Sequence, residues 1–465
     1  MQSSAPATVR ETSIPLQIAP RSLAAAFTRV PDPRRAASVA YPLAAVLALA
    51  VTAILANQLS ELAIAQWATR QPAEWLRALG LTAGRTPCQS TIQRLFCKLD
   101  GQALAEALSA HFAPVAVPLA AGSRGVAIDG KAQRGRLPFQ VGGSPVHALT
   151  AFCHEHGVVL AAEPIERGEE KSEAELTVAP ALVARVAWPG RVLTGDALFC
   201  QRTLCAQVLA AGGDYLLLVK DNQPTLHADL ALLFDPPAAL GPAALLDRRE
   251  VSTRERGHGR HQEVRHLIAS TDLTAYLDWP GLEQVFRLER TWQEHGVSKQ
   301  ALLYGITSLA PESGPPERLL ALKRGHWGIE NGLHRVKDVT LGEDQSTLHC
   351  GQGPAVMAFL RDAAISLLRR LALRALGING EVDHHDRVLL DDADQQDDAD
   401  DADDTQVVAG DHQRQQCADT GRWQRGQDRE RVHVALVKHA EHDVDAYDSR
   451  QDQPELVRQR ALVRT

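Results

Sequence analysis

Hydrophobic positions in the first quarter of the chain recur at helical spacing. From residue 22 to about residue 118, alanine and leucine return three and four positions apart, with a loop-like break at GRTPCQST (84–91). Ser90 followed by Gln93 is a capping-box pattern, and it predicts that the helix TIQRLFCKL begins there. Residues 21–120 are therefore predicted to form an all-helical N-terminal domain.

The pattern changes at Gly125, where apolar runs of strand length begin to alternate with helical runs. GVAIDGK and GRVLTGDALF predict two buried strands followed by acids, Asp129 and Asp196. VHALTAFC and VVLAAEPI, separated by the turn residues HEHG, predict a hairpin, and DYLLLVK predicts a further buried strand. Strands that alternate with helices after a hairpin predict an α/β fold, a mixed sheet covered by helices.

The second half of the chain contains three regions of different character. The pattern of residues 222–299 predicts an irregular, β-rich insertion. Residues 360–376 predict an amphipathic helix. Residues 381–465 form an acidic tail that includes DDADQQDDADDADD, where almost no apolar side chain is available to offset the entropy of ordering. This tail, like the Ser/Pro/Ala-rich residues 1–20, is predicted to be disordered or loose. A functional acidic tail and a shifted reading frame near residue 380 both explain its composition, and we favour the frameshift.

The amino-acid composition limits the classes of protein to which this chain can belong. A chain of 465 residues with 45% hydrophobic residues can bury a large core in two or three domains. The net charge of −8 is misleading because the acidity is concentrated in the tail, which leaves a mildly basic body that permits a polyanionic partner. The seven cysteines include no C-x-x-C pair, and the longest apolar run is shorter than the ~18 residues of a membrane span. A cytoplasmic protein with no membrane partner is predicted.

One charged stretch, RGHWGIENGLHRVKDVTLGEDQST (324–347), raises a question of its own. On a regular helix, His326, Glu330, His334 and Lys337 would lie on one face, because they are spaced by four, four and three residues. Such a stripe is either an ordinary salt-bridged helix surface or one part of a metal site.

Three acids are predicted to converge. Asp129 and Asp196 follow neighbouring strands, whose ends meet at the rim where ligands of open α/β sheets bind, and Glu330 lies in a helix. Carboxylates without cysteine or paired histidines form an all-oxygen site, which selects Mg²⁺ or Mn²⁺. Two such ions about 3.5–4 Å apart can drive displacement at phosphorus.

Five sequence motifs, which follow one another along the chain in the family's order, resemble those of bacterial insertion-sequence DDE transposases. Within that family they most resemble the ISAs-type, H-repeat-associated group. They are AIDGKAQRG, LTGDALFCQ, GGDYLLLVKDNQ, RERGHGRHQEVR and HWGIENGLHRVKDVTLGED, and the resemblance runs from about residue 22 to about residue 379. It implies an RNase H-like catalytic domain at residues 121–380, interrupted by the β-rich insertion. It also implies that Asp129, Asp196 and Glu330 are catalytic residues and metal ligands.

The resemblance further implies double-stranded DNA as the partner, both the terminal inverted repeats of the element and the target, and a homodimer at work. Lys337 matches a lysine of the family's helix pattern, and His326 occupies its arginine position. The candidate DNA contacts are Lys337, His326, Lys131, Arg134, Arg94, Lys98 and Arg260. For most of them a solvated or structural role is an equal alternative. His334 stays a candidate contact, although a histidine in such a stripe is more often structural, and Trp327 is interpreted as core. A stand-alone nuclease and a non-catalytic DNA-binding remnant remain alternative functions.

Overall fold

The computed structural model describes residues 23–81, 85–112, 124–132, 147–165, 171–237, 245–256, 262–294 and 297–375. The predicted loose N-terminus, the acidic tail, Arg134 and Arg260 lie outside these residues. The N-terminal part is helical, as predicted, and contains α1 (Leu23–Phe27), α2 (Leu43–Leu55), α3 (Glu61–Ala68), α4 (Ala73–Ala78), α5 (Gln89–Lys98) and α6 (Gly101–Phe112).

Helix α5 begins earlier than its capping-box pattern predicts. Its first residue is Gln89 and its N-cap is Cys88, so Ser90 lies inside the first turn and the capping prediction is wrong. The Cys88 thiol lies 3.3 Å from the hydroxyls of Ser90 and Thr91. The Ser90 side chain is therefore hydrogen-bonded to the residue that precedes the helix.

Nine strands form one mixed sheet, which confirms the predicted α/β class. They are β1 (Arg124–Ala132), β2 (His147–Cys153), β3 (Val159–Ile165), β4 (Arg191–Gly195), β5 (Asp214–Val219), β6 (Arg249–Arg256), β7 (Gln262–Ser270), β8 (Gln284–Glu294) and β9 (Val297–Thr307). Their order is β3-β2-β1-β4-β5-β9-β8-β7-β6. Strands β1, β4 and β5 are parallel, and the other neighbours are antiparallel.

The β-rich insertion continues this sheet. Strand β9 pairs antiparallel with β5, with Leu216 opposite Thr307, and also pairs with β8 along its whole length. Strands β6 and β7 then extend the sheet to its edge. The insertion therefore shares its backbone hydrogen bonding with the central strands.

Five further helices complete the described fold: α7 (Lys171–Arg185), α8 (Arg202–Ala210), α9 (Pro224–Phe234), α10 (Pro316–His326) and α11 (Gly353–Ala375). The charged stretch at residues 324–347 is not one regular helix. Helix α10 ends at His326, and two π-helical segments follow, Glu330–His334 and Val336–Thr340. In this conformation the Arg335 N–H donates to the Glu330 carbonyl and the Leu341 N–H to the Val336 carbonyl, each five residues back.

The N-terminal helices share one hydrophobic core with α11 and with one face of the sheet. Val46 of α2, Phe96 of α5 and Leu360 of α11 belong to the same buried cluster as Phe152 of β2. A fragment ending near residue 120 would expose this surface to water, so the N-terminal helices depend on the rest of the chain for their packing. Within the described residues, no helix combines the length and apolar character needed to cross a membrane.

Candidate active site

Strand pairing brings Asp129 and Asp196 side by side. Ala127 of β1 lies opposite Thr194 of β4 in a parallel register, and each aspartate lies two residues further along its chain. Side chains two positions apart share a face of a sheet, so both acids lie on the face that carries α10 and the π-helical segments. Asp196 is exposed, directly after β4, and its Oδ1 accepts the Leu198 N–H at 3.0 Å.

The first π-helical segment brings Glu330 and His334 to the same place. Glu330 Oε2 lies 2.8 Å from His334 Nδ1, and that nitrogen lies 3.5 Å from Asp129 Oδ2. Candidate ligand atoms of Asp129, Glu330 and His334 all lie within 4.8 Å of one another. The structure therefore brings together Asp129 and Glu330, which the sequence selected, and adds His334, which it did not.

Negative charge accumulates at this cluster. Burial raises the pKa of Asp129, and the neighbouring Asp196 and Glu330 raise it further, while His334 opposes the rise. His334 is 4% exposed, and its Nε2 has no hydrogen-bond partner among the described residues. The carboxylates and the His334 ring together offer the donor atoms that a divalent cation binds, so these residues fit a metal ion.

The donor set differs from the predicted all-oxygen set. Carboxylate oxygens suit both Mg²⁺ and Mn²⁺, whereas an imidazole nitrogen is a better ligand for transition-metal ions than for Mg²⁺. The i, i+4 spacing of Glu330 and His334 was the signal in the sequence that pointed to this pair. By itself this spacing does not predict a metal ligand, because a lone histidine on a helix is more often structural.

Lys337 does not lie beside Glu330 on an exposed face. The π-helical turns are wider than those of an α-helix and rotate its side chain into the interior, where it is 3% exposed. Its Nζ lies 3.0 Å from Asp362 Oδ1 and 3.5 Å from Glu343 Oε2. Burial alone would lower the pKa of Lys337, but the two acids raise it above its ordinary value. The expectation that Lys337 contacts a DNA phosphate is corrected, because the charge is already buried and paired.

Two other predicted DNA contacts, Lys131 and His326, instead form an ion pair and a hydrogen bond within the protein. Lys131 Nζ forms an ion pair with Asp338 Oδ2 at 2.5 Å, and its side chain is largely buried. His326, the last residue of α10, places Nδ1 3.2 Å from the Thr194 hydroxyl. Burial lowers the pKa of His326 to about 3, so this histidine is neutral at physiological pH and supplies no positive charge to a phosphate.

Two further predicted contacts, both on α5, lie far along the chain from this cluster. Arg94 and Lys98 are exposed on α5, where basic side chains are available to a partner. Trp327, expected in the core, is instead 38% exposed at the end of α10, three residues before Glu330. Its indole ring is therefore open to solvent near the acids.

Comparison with known proteins identifies the domain in which this cluster lies. Residues 120–368 match the family described as "Transposase DDE domain", and residues 24–112 match the one described as "DDE_Tnp_1-associated". Strand β1, strand β4 and the π-helical segments all lie within the first of these ranges, so the matched domain contains the whole acidic cluster.

Several curated proteins are similar over much of their length. "Putative transposase YncI" of Escherichia coli O157:H7 is 27% identical over 73% of this chain and 85% of its own. A Xanthobacter autotrophicus protein, "Uncharacterized protein in dhlA 3'region", is 30% identical over 58% of this chain and 88% of its own. "H repeat-associated putative transposase YhhI" of E. coli K12 is 27% identical over 52% and 63%.

Among solved structures, a piggyBac transposase synaptic complex with hairpin DNA aligns over 74% of this chain and 70% of its own, at 12% identity and a TM-score of 0.32. That similarity is too weak to bear on fold or function. The domain match is decisive, because it spans more than half of the chain. The chain therefore belongs to the DDE transposase family, with H repeat-associated proteins among its relatives.

Proposed function

We propose that this protein is a metal-dependent DNA transposase that hydrolyses phosphodiesters at the ends of its element and joins the exposed 3′-hydroxyls to target DNA. One observation carries the proposal: Asp129 lies beside Glu330 and, by the register of β1 and β4, beside Asp196, within a chain segment that matches the DDE domain. The strand order β3-β2-β1-β4-β5, an antiparallel hairpin beside parallel strands, supports the RNase H-like fold that the family resemblance implies.

Each side chain has a specific task in this proposal. Asp129, Asp196 and Glu330 would hold Mg²⁺ or Mn²⁺, two ions in the full site. The metal would activate the attacking water or 3′-hydroxyl and stabilise the leaving oxygen. His334 holds the Glu330 carboxylate 2.8 Å from its ring and fixes the direction of that carboxylate toward Asp129. Asp196, the exposed member, marks the side of the cluster from which DNA would approach.

Cleavage and joining are chemically similar, so one set of acids serves both steps. Each step transfers a phosphoryl group, first to water and then to a DNA hydroxyl. Pairing two element ends before joining requires two active sites, and we therefore propose that a homodimer assembles on double-stranded DNA.

The experiment that tests this function uses the full chain with Mn²⁺ or Mg²⁺. Its substrates are a labelled duplex bearing the terminal repeat that flanks the coding region and a supercoiled target. Cleaved ends and joined product are expected, and both should disappear when EDTA is added. Cleavage without joining would favour a stand-alone nuclease. Binding without cleavage in either metal would favour a non-catalytic remnant of a decayed element.

The basic face of α5 provides a separate prediction about DNA binding. Changing Arg94 and Lys98 together to alanine should weaken end binding and lower the salt dependence of log Kd by about 1.8, since each lost phosphate contact contributes about 0.9. Filter binding or fluorescence anisotropy of the full chain at several salt concentrations measures both quantities. The full chain is needed because the N-terminal helices share their core with α11.

A matched control removes the same charge elsewhere in the N-terminal helices. Arg70 and Arg77 are both exposed, just after α3 and on α4 respectively. Arg70→Ala/Arg77→Ala should leave the salt dependence unchanged. Equal slopes for the two double variants would show that α5 does not contact DNA phosphates.

A further inference from the structure

Close to the acidic cluster lies a group of buried polar side chains that the proposed chemistry does not use. The Thr194 hydroxyl lies 3.0 Å from His154 Nε2 and 3.2 Å from His326 Nδ1, and 3.4 Å from the Val126 carbonyl. Thr194 is 1% exposed and His154 is 4% exposed. Thr194 therefore joins two imidazole rings inside the protein, away from solvent.

Two glycines make room for this arrangement. A Cβ atom at Gly125 would lie 2.1 Å from His154 Nδ1, and one at Gly325 would lie 2.4 Å from the same atom. Neither glycine has a positive φ, so both are explained by the close approach of the ring and not by backbone conformation. The His154 ring is thus held between the first residues of β1 and the last turn of α10.

Each element held by this cluster also carries one of the acids. Strand β1 contains Gly125 and Asp129, and Thr194 of β4 lies two residues before Asp196. His326 ends α10 and lies four residues before Glu330. A shift of α10 relative to β4 would break the contact between Thr194 and His326 and would also change the distance from Glu330 to Asp196.

We propose that Thr194 and His326 are positioning residues that fix α10 against β4 by a hydrogen bond and thereby set the separation of Glu330 from Asp196. This inference rests on the proposed function. It assigns the residue at the family's arginine position a role inside the protein, in place of a contact with DNA. Partners of metal ligands are known to change metal affinity or activity by about 10- to 100-fold when they are removed.

Two conservative substitutions at Thr194 provide the test. Thr194→Val keeps the shape of the side chain but removes the hydroxyl, whereas Thr194→Ser keeps the hydroxyl. End cleavage by Thr194→Val should be about 10- to 100-fold slower than wild type, with Kd for end DNA unchanged. Thr194→Ser should remain close to wild type. Equal losses in both variants would overturn the proposal, because packing and not the hydroxyl would then be responsible.

A readout independent of catalysis separates this inference from the proposed function. Mn²⁺ binding to the DNA-free protein, measured by calorimetry or by electron paramagnetic resonance, should weaken in Thr194→Val and recover in Thr194→Ser. If wild type fails to cleave its ends, the proposed function fails, and Mn²⁺ binding still decides the positioning role. Unchanged Mn²⁺ affinity in Thr194→Val would overturn that role.

Changes at position 326 keep the test decisive if Thr194→Val does not fold. His326→Asn retains a polar atom near the place of Nδ1, and His326→Leu has none. We expect His326→Asn to bind Mn²⁺ and to cleave better than His326→Leu, at similar melting temperatures. Indistinguishable behaviour of the two variants would contradict the proposed hydrogen bond.

Discussion

Alanine at Asp129, Asp196 or Glu330 is expected to reduce end cleavage and joining by several orders of magnitude while end binding persists. In the proposed two-metal site, the loss of one carboxylate would deprive the nucleophile and the leaving oxygen of their shared clamp, and groups that act as a unit do not compensate for one another. Cleavage assays on each single variant, with wild-type protein and Mn²⁺, measure the effect. A variant with wild-type cleavage would remove its residue from the site.

Stability measurements separate this loss from misfolding. Burial and two neighbouring acids raise the pKa of Asp129, so ionised Asp129 is held in an unfavourable place in the folded chain. Asp129→Ala should therefore unfold at the same temperature as wild type or higher in the absence of metal. It should also lose the stabilisation that Mn²⁺ gives to wild type. Asp221→Ala, an exposed acid that follows β5, is the matched control and should keep cleavage and metal stabilisation.

The sequence predicted the approach of the two aspartates because parallel strands impose a register. Apolar runs identified β1 and β4, and adjacency placed Asp129 beside Asp196 without knowledge of any side-chain contact. The sequence selected Glu330 by its place in a charged helix together with the two strand-end aspartates, and the family resemblance then implied its role as the third acid. The hairpin β2–β3 was predictable for the same local reason, because its turn residues HEHG separate two apolar runs.

Features fixed by contacts distant in sequence were not predictable. The π-helical segments replace the expected regular helix, and no local pattern distinguishes a turn of i→i+5 hydrogen bonds from one of i→i+4. The observed roles of His334 and Lys337 differ from the expected ones for this reason, because their spacing predicts a common face only at about 3.6 residues per turn. Likewise, the joining of the insertion to the central sheet depends on β9 reaching β5, about 90 residues away in the chain.

Lys337 is expected to contribute strongly to the stability of the folded protein. Lys337→Ala is expected to lower the free energy of unfolding by about 3–5 kcal/mol, because removal of the lysine leaves the buried Asp362 carboxylate without its ion-pair partner. Asp362 and Glu343, the acids within 3.5 Å of Nζ, have side chains that are 4% and 2% exposed. Urea denaturation followed by circular dichroism measures this change, and Lys337→Met distinguishes loss of charge from loss of volume.

Removing the acid together with the lysine should recover part of the loss. In Lys337→Met/Asp362→Leu the uncompensated carboxylate is gone, and replacing both members of a buried ion pair by apolar residues is often neutral. The double variant should therefore be more stable than Lys337→Met alone. A Lys337→Ala protein that keeps its stability but loses a phosphate contact, seen as a shallower salt dependence of end binding, would restore the DNA-contact interpretation.

The buried ion-pair network of Lys337, Glu343, Asp362 and Arg361 extends to the N-terminal helices. This connection determines how the destabilised protein should unfold. Arg361 of α11 lies 3.5 Å from Glu343 and donates to the Leu59 carbonyl at 3.4 Å, which connects the network to the segment before α3. Burial raises the pKa of Glu61, and Arg361 opposes that rise, so the same arginine also acts on α3 itself. Because the π-helical segments, α11 and the N-terminal helices share these charges and one hydrophobic core, Lys337→Met should shift a single unfolding transition. Two separate transitions, with the N-terminal helices melting at the wild-type denaturant concentration, would show that the network does not couple them.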